Sequence, residues 1–172
     1  MASILLRPFK SVDLNNLRNW SKDIDAGRYM SRIFPKRFDG KNFENCDYFN
    51  WFVIVSDGTD VGCIWLEKEN IDDTFIQLVI IIGNEEFFGK GIGRMAIEKV
   101  IRETDLVYHS QSIRLNARKS NIRAQACYNA CGFKTISQGV KTNNQGDQIE
   151  FLTMEKTTPN PAMHMTDRAG RV

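Results

Sequence analysis

Three glycines separated by single residues form the clearest chemical signal in the sequence. They are Gly89, Gly91 and Gly93, with the basic residues Lys90 and Arg94 beside them. Glycine lets a ligand approach the backbone closely, and the amides at the start of a helix attract anions. The two basic side chains add positive charge. We therefore predict a binding site for phosphate groups in this stretch.

The segments on either side of the glycines should position this site. Residues 74–83 (TFIQLVIIIG) are rich in β-branched side chains and predict a strand buried on both faces. After the glycines, Ile92, Met95, Ala96 and Val100 recur at helical spacing. No Ser, Thr, Asp or Asn directly precedes this helix to cap it. Its first amides should therefore remain available to a ligand.

The spacing of the glycines excludes two common phosphate loops. A P-loop requires Ser or Thr after its Gly-Lys pair, but Gly89-Lys90 is followed by Gly91. A dinucleotide-binding fingerprint requires a third glycine where this chain has Arg94. Neither class of nucleotide site fits this loop.

A second block of polar residues with chemical potential lies downstream, at residues 116–133 (NARKSNIRAQACYNACGF). Asn121 is suited to cap a helix that runs to Ala130, and Gly132 is suited to end it. Tyr128 follows Asn121 by two helical turns and lies on the same face. Its phenol could return a proton to a leaving group.

Together the two blocks resemble the signatures of the GNAT superfamily of N-acetyltransferases. Residues 88–93 match the coenzyme A loop (Gln/Arg)-x-x-Gly-x-(Gly/Ala) except at Phe88, and residues 121–133 match N-x-x-A-x-x-x-Y-x-x-x-G-F. An aromatic residue at position 88, within residues 83–91 (GNEEFFGKG), is similar to the ribosomal-protein N-terminal and aminoglycoside acetyltransferase branch. The resemblance covers roughly Leu5 to Glu155.

The resemblance implies an α/β (α+β) fold: a mixed, mostly antiparallel, twisted sheet with helices on both faces. It implies direct transfer of an acetyl group from acetyl-CoA to a primary amine of a small molecule or a protein N-terminus, in a ternary complex. We expect one domain at residues 1–156 and a tail at residues 157–172, where periodicity is lost. A homodimer is a frequent assembly in this superfamily.

The same resemblance implies roles for individual residues. Tyr128 corresponds to the tyrosine that protonates the thiolate. The end of the central strand should splay from its neighbour and offer its backbone to the pantetheine arm and the acetyl carbonyl. The residues expected to bind the cofactor are Ile81, Ile82, Gly83, Phe88, Gly89, Lys90, Gly91, Ile92, Gly93, Arg94, Asn116 and Asn121.

The general base is where the sequence departs from the family pattern. Many members have Glu at the position of Gln77, and an amide cannot accept a proton in its place. Glu67, Asp73 or a water relayed through Gln77 are the substitutes, although Glu67 and Asp73 also suit solvated surface positions. Cys127 should be a buried thiol without a depressed pKa, not a covalent acetyl carrier. The missing Glu leaves a non-catalytic acyl-CoA-binding sensor as the alternative function.

Composition excludes several other classes of protein. The 172 residues carry a net charge of +2 and scattered basic residues, so we expect no nucleic-acid partner. No apolar run is long enough for a membrane helix, no secretory signal begins the chain, and no metal-ligand spacing occurs among the four cysteines. We expect a cytoplasmic protein with reduced, buried cysteines and no metal.

The remaining periodicity predicts the elements around the site. Before the central strand we expect a strand at Ile4–Phe9, then a helix capped by Ser11 or Asp13, with its apolar side chains Val12, Leu14, Leu17 and Trp20 toward the core. A helix and loop over the acceptor site at Asp25–Phe38, a helical turn at Phe43–Phe49 and a hairpin of Trp51–Val55 and Val61–Glu67 should follow. After the helix that follows the glycines we expect a polar loop at Asp105–Gln111, a strand at Ser112–Ala117, and a last hairpin of Phe133–Val140 and Gln148–Met154.

Overall fold

A seven-stranded sheet organises the chain in the computed structural model, which describes residues 2–143 and 145–158. Neighbouring strands are antiparallel except for the central pair β4 and β5, which is parallel. The strand order is β1-β2-β3-β4-β5-β7-β6. The strands are β1 (Ile4–Pro8), β2 (Phe49–Ser56), β3 (Thr59–Glu67), β4 (Phe75–Ile82), β5 (Ser112–Arg118), β6 (Lys134–Thr142) and β7 (Gln148–Thr157).

Helices cover both faces of this sheet. The α-helices are α1 (Leu14–Asp23), α2 (Ile92–Glu103), α3 (Asp105–Tyr108) and α4 (Ile122–Ala130). On one face α2 buries Ala96 and Val100 against the sheet, and on the other face α1 buries Leu17 and Trp20. The mixed, mostly antiparallel sheet between helices confirms the predicted fold class.

Most predicted elements form, and local chemistry explains where they begin and end. The β2–β3 hairpin turns through Asp57 and Gly58, which both have positive φ angles (48° and 81°). Asn121 caps α4 by accepting a hydrogen bond from the Ala124 amide (3.2 Å), and Gly132 follows this helix with φ 87°.

Asp13 does not cap α1 by its side chain, contrary to the prediction. Its carboxylate accepts hydrogen bonds from the Lys10 amide (2.8 Å) and from the Arg7 guanidinium, which also pairs with Asp60. Burial opposes the charged form of Asp13, but the Arg7 and Lys10 hydrogen bonds outweigh it and hold the pKa below its usual value. The residue therefore ties β1 to the start of α1.

Three further local predictions are wrong. Val12 points to solvent with 77% of its surface exposed, because it lies in a short 3-10 turn before α1. The segment before Phe49 contains bends instead of a helical turn. The expected polar loop at 105–111 contains α3, since Leu106 and Val107 are buried in the core on the α2 face.

The structure describes only the first two residues of the predicted tail at 157–172. Strand β7 extends through Thr157, and the Thr158 amide donates to the Gln111 carbonyl (3.1 Å). The rest of the expected tail, residues 159–172, lies outside the described residues. Within residues 2–143 and 145–158, none of the helices has the length and apolar character needed to cross a bilayer.

The close contact between Gly83 and Trp20 connects the end of β4 to α1. A Cβ atom at Gly83 would lie 2.0 Å from Trp20 Cδ1, within the α1 side of the core. We expect Gly83→Ala to lower the free energy of unfolding by about 1–3 kcal/mol, because the indole must move. Urea unfolding measures this change.

Gly27→Ala is the matched control for Gly83→Ala, because no atom lies within 4 Å of a Cβ built at Gly27. Its unfolding free energy should stay within about 0.5 kcal/mol of the parent protein. Equal stability of the two variants would contradict the packing role of Gly83.

Candidate functional site

The divergence of β4 from β5 opens a cavity of about 480 Å³ in the sheet. The two strands pair only at Phe75–Ser112, Ile76–Ile113 and Gln77–Arg114. Beyond these pairs, the cavity is lined by β4 and β5, by the glycine loop with the start of α2, by α4, and by residues 24–32 after α1. The two predicted blocks of functional residues therefore meet at one opening.

Backbone groups of β4 face this opening. The Gly83 amide donates to the Val61 carbonyl of β3 (2.7 Å), and hydrogen-bonded pairs alternate along an antiparallel ladder. The backbone of Ile81 is therefore used by β3, whereas the N–H and C=O groups of Leu78, Ile80 and Ile82 point toward β5. Of the three residues predicted to offer their backbone, only Ile82 faces the opening.

The glycine loop has the backbone conformation that its sequence requires. Gly89 and Gly91 have φ angles of 73° and 77°, which side chains with a Cβ rarely adopt. Gly91 is the N-cap of α2 and offers no side-chain cap. Among the described residues, the amides of Ile92, Gly93 and Arg94 have no hydrogen-bond partner. The helix therefore begins with free donors at the edge of the cavity.

Aromatic and basic side chains surround this loop. The Arg123 guanidinium, from the first turn of α4, lies 3.5 Å from the centre of the Phe88 ring. Arg94 lines the cavity and also donates to Glu98 (2.8 Å), which neutralises part of its charge. The Lys90 ammonium lies 5.7 Å from the Phe87 ring centre, and the residue does not line the cavity.

Tyr128 lines the cavity from α4, opposite β4. Its ring packs against Phe133 with the ring centres 6.4 Å apart, and its hydroxyl has no hydrogen-bond partner among the described residues. Burial raises the pKa of Tyr128 above its usual value. The phenol therefore stays protonated at neutral pH and can donate a proton or a hydrogen bond.

The cysteines differ from the prediction of four buried thiols. Cys46 is exposed, and Cys127 is half-buried at the cavity wall. A hydrogen bond with the Cys131 thiol lowers the pKa of Cys127, so the expectation of an undepressed pKa is wrong. Sγ of Cys127 lies 3.4 Å from the position of a Cβ at Gly93, which shows how closely α4 and α2 approach.

The two predicted asparagines both line the cavity. Asn121 combines this position with its role as the α4 cap. Asn116 lies on β5, and its side-chain oxygen accepts a hydrogen bond from the Thr153 hydroxyl (2.9 Å). Both are therefore held in place by contacts with the protein.

The three predicted candidates for a general base lie in different environments. Gln77 lines the cavity, whereas Glu67 and Asp73 do not. Glu67 is buried, contrary to the expected solvated position, and its carboxylate accepts hydrogen bonds from the Arg32 guanidinium and the Lys36 amide (2.6 Å). Asp73 accepts hydrogen bonds from the Asn70 and Glu69 amides in a turn, and the Asn70 bond lowers its pKa.

Sequence reasoning missed several residues of the cavity wall. Arg118 at the end of β5 and Lys141 on β6 line it. Tyr29, Ser31 and Arg32 also line it, and they belong to the segment Asp25–Phe38 that the sequence analysis placed over the acceptor site without singling out these side chains. Periodicity carried no signal for these side chains, because their approach depends on how the sheet and the loop after α1 pack. Arg123 lies inside the second sequence block, and its basic character was the available signal.

Comparison with known proteins gives a family and a fold. A family model described as an acetyltransferase (GNAT) domain matches residues 3–134. A comparison with curated protein sequences gives no match.

Solved structures share the architecture at low sequence identity. A spermidine N-acetyltransferase from Vibrio cholerae, in complex with CoA and spermine, is 19% identical with a TM-score of 0.72, over 90% of this chain and 95% of that chain. A GNAT-family acetyltransferase from Streptococcus pneumoniae is 15% identical with a TM-score of 0.70, over 91% and 100%. An aminoglycoside acetyltransferase in complex with coenzyme A is 18% identical with a TM-score of 0.64, over 99% and 100%.

The contacts of Glu67 indicate that it positions the loop beside the cavity. We expect Glu67→Gln to lower the unfolding free energy by about 1–2 kcal/mol, because Arg32 and the Lys36 amide lose a buried charged acceptor. The loss stays moderate because the Arg32 side chain is partly solvated. Urea unfolding measures the loss, and limited proteolysis at Arg32–Arg37 reports on the loop.

Glu69→Gln is the control for Glu67→Gln. Glu69 forms an exposed ion pair with Lys36, with side chains 59% and 50% exposed. We expect this variant to change stability by less than about 0.5 kcal/mol. A Glu67→Gln protein as stable and as protease-resistant as the control would refute the positioning role.

Proposed function

This chain belongs to the GNAT acetyltransferase family, and we propose that it transfers the acetyl group of acetyl-CoA to a primary amine by direct attack. The observation that carries the proposal is the meeting of the glycine loop, the unpaired edge of β4 and Tyr128 around one cavity. The amine belongs to a small molecule or to a protein N-terminus. The proteins of similar fold include enzymes named for spermidine and aminoglycoside acetylation.

The glycine loop fits the diphosphate of coenzyme A. Gly89 and Gly91 have no Cβ that could obstruct a phosphate, and the free amides of Ile92, Gly93 and Arg94 point outward from the start of α2. The Arg94 and Arg123 guanidinium groups add positive charge at the wall. Ile81, Gly83 and Lys90, expected from the family pattern, would contribute through packing or long-range charge.

The edge of β4 suits the pantetheine arm and the acetyl carbonyl. Amide N–H groups of Ile80 and Ile82 face the opening, where they can hydrogen-bond the arm and polarise the thioester carbonyl. The attacking amine forms the new C–N bond while the C–S bond breaks. Tyr128 is the proposed acid that protonates the departing thiolate, since its phenol is protonated and otherwise unpartnered among the described residues.

The proton of the attacking amine must leave through water or another weak acceptor. Gln77 lines the cavity but has no basic group, and Glu67 is occupied by Arg32 and Lys36. We propose that a water positioned by the Gln77 amide accepts this proton. The carboxamide can hold such a water through both its carbonyl and its N–H groups.

The absence of a carboxylate among the described cavity residues also supports a second candidate, a non-catalytic acyl-CoA sensor. Such a module needs the glycine loop but no proton acceptor. An enzyme releases free thiol from acetyl-CoA in the presence of an amine, whereas a sensor binds acetyl-CoA without turnover. An acceptor screen that follows thiol release separates the two.

Tyr128→Phe should separate catalysis from binding. We expect kcat to fall by roughly 10²- to 10³-fold, because the thiolate loses its proton donor, while the Kd of CoA stays within about threefold. Steady-state kinetics measures kcat, and isothermal titration calorimetry measures the Kd. Tyr48→Phe, at a tyrosine that stacks with Arg37 outside the cavity, should leave both unchanged.

Gly91→Asp, unlike Tyr128→Phe, should weaken the binding of CoA itself. A carboxylate on the N-cap competes with the diphosphate, and φ 77° disfavours a side chain, so CoA affinity should fall by at least about 100-fold. Gly146→Asp, at a glycine with φ 85° in the β6–β7 loop, controls for backbone strain alone. Undiminished CoA binding by the Gly91 variant would refute the proposed diphosphate site.

A further inference from the structure

The side chains around the cavity are strongly biased in charge. Of the described residues that line it, five are basic and none is acidic. The basic residues are Arg32, Arg94, Arg118, Arg123 and Lys141. A cavity built to receive a polycation should carry carboxylates instead, because each buried ammonium needs a negative partner.

Four of the five basic residues lie in two groups. Arg94 and Arg123 lie beside the glycine loop, where the proposed function assigns the diphosphate. Arg118 lies at the far end of β5, where it pairs with Phe151 of β7. The Lys141 ammonium lies 5.7 Å from the centre of the same Phe151 ring. Arg118 and Lys141 therefore form a second positive group, beside Phe151.

Arg118 faces the acceptor side of the sheet. Along β5, Ile113 and Leu115 point into the core on the α2 face, so alternation places Arg118 on the opposite face. Its guanidinium reaches the Gly27 carbonyl (3.4 Å), in the loop after α1. This loop forms the wall of the cavity opposite α2 and α4.

Two N–H donors on this wall lack acceptors. Nε of Arg118 and Nε1 of Trp65 are buried and have no hydrogen-bond partner among the described residues. Both residues line the cavity. Buried donors without partners are uncommon in proteins, and both groups can only donate. They are therefore suited to a ligand that presents oxygen acceptors.

The other arginines on this face are already neutralised. Arg32 pairs with Glu67, and Arg114 donates to Glu155 (2.6 Å). Arg118 forms no ion pair within the described part of the chain. It is therefore the guanidinium on this wall with charge and donors to offer a substrate.

Resting on the proposed acetyl transfer, we propose that the acceptor is a primary amine that also carries an oxyanion, either a carboxylate or a phosphate, which Arg118 binds. Trp65 supplies a neutral donor on the same wall, and Lys141 adds positive charge. The bidentate geometry of a guanidinium suits both oxyanions. Arg118 is thus a specificity residue that orients the amine toward the edge of β4.

The positive wall also bears on the missing carboxylate base. A primary amine with a pKa near 10.4 is almost wholly protonated at pH 7, and only its neutral form attacks. Nearby guanidinium groups disfavour the ammonium form. Binding the oxyanion neutralises Arg118, so this effect is small; Arg118 acts by placing the amine, and the proton leaves to water.

Matched pairs of amines test the proposal. The anionic probes are β-alanine and O-phosphoethanolamine, their neutral counterparts are β-alaninamide and ethanolamine, and spermidine represents polycations. We expect kcat/KM for at least one anionic probe to exceed that of its counterpart by about tenfold or more, with spermidine the poorest acceptor. Calorimetry with CoA-loaded protein measures binding of the same probes independently of turnover.

Arg118→Gln should raise KM and the Kd for the preferred anionic probe by roughly 10- to 100-fold, leave the neutral probes within about twofold, and leave the Kd of CoA unchanged. Arg118→Lys should restore part of the affinity. Lys119→Gln removes a charge one residue away, from a side chain that pairs with Glu150 and does not line the cavity. It should behave as the parent protein.

The outcomes separate the proposed acetyl transfer from the proposed oxyanion site at Arg118. Anionic probes that bind through Arg118 without thiol release would support the oxyanion site and refute the proposed catalysis, so that the bound amine would be a ligand and not an acceptor. Efficient acetylation of spermidine or of the neutral amines, with no advantage for the oxyanion, would overturn the inference and leave the acetyltransferase function intact. An Arg118→Gln variant with unchanged preference for the anionic probe would also overturn it.

Discussion

The parting of β4 from β5 is the constraint on which the rest of the molecule depends. β4 is held by six residue pairs to β3, and β5 by seven to β7, but only three pairs join β4 to β5. The sheet therefore consists of two well-paired halves with a narrow connection. The Leu78 carbonyl and the backbone groups of Ile80 and Ile82 lie beyond that connection and need other partners, because unpaired polar backbone is costly to bury. A ligand that lies between the halves can supply them.

The helices complete this opening instead of closing it. α2 begins at its edge with an uncapped N-terminus, and α4 places Tyr128 and Cys127 opposite β4. Small residues allow the two helices to approach, since a Cβ atom built at Gly93 would lie 3.4 Å from the Cys127 sulfur. The glycine loop and Tyr128, the two parts of the proposed site, thus belong to different elements that only the packed sheet brings together.

Three carboxylates that stabilise the fold lie outside the described wall of the cavity. Asp13 joins β1 to α1, Glu67 holds the loop at Arg32 and Lys36, and Glu155 pairs with Arg114. The described wall of the cavity retains only positive charge among its ionised side chains. This distribution is the basis of the proposed preference for an acceptor that carries a negative group.

Local signals made the elements and the glycine loop predictable from the amino-acid sequence. The apolar run of β4, the periodicity of α2, the Asn121 cap and the positive φ angles at Gly91 and Gly132 all depend on residues close together in the chain. The predictions for Asp13 and α3 are wrong because long-range neighbours decide the burial of these residues, such as Arg7 for Asp13 and the α2 core for Leu106 and Val107. Val12 is exposed because it lies in the 3-10 turn before α1.

By itself, the sequence determined the class of fold, the glycine loop before α2 and the tyrosine two turns into α4, because backbone conformation and helical spacing are local properties. Only the tertiary structure decided which backbone groups face the opening, that Glu67 is occupied by Arg32, and that Arg118 meets the loop after α1. These facts depend on strand register and on contacts between residues far apart in the chain. Charge in the cavity is set by such contacts, and residue order alone does not specify them.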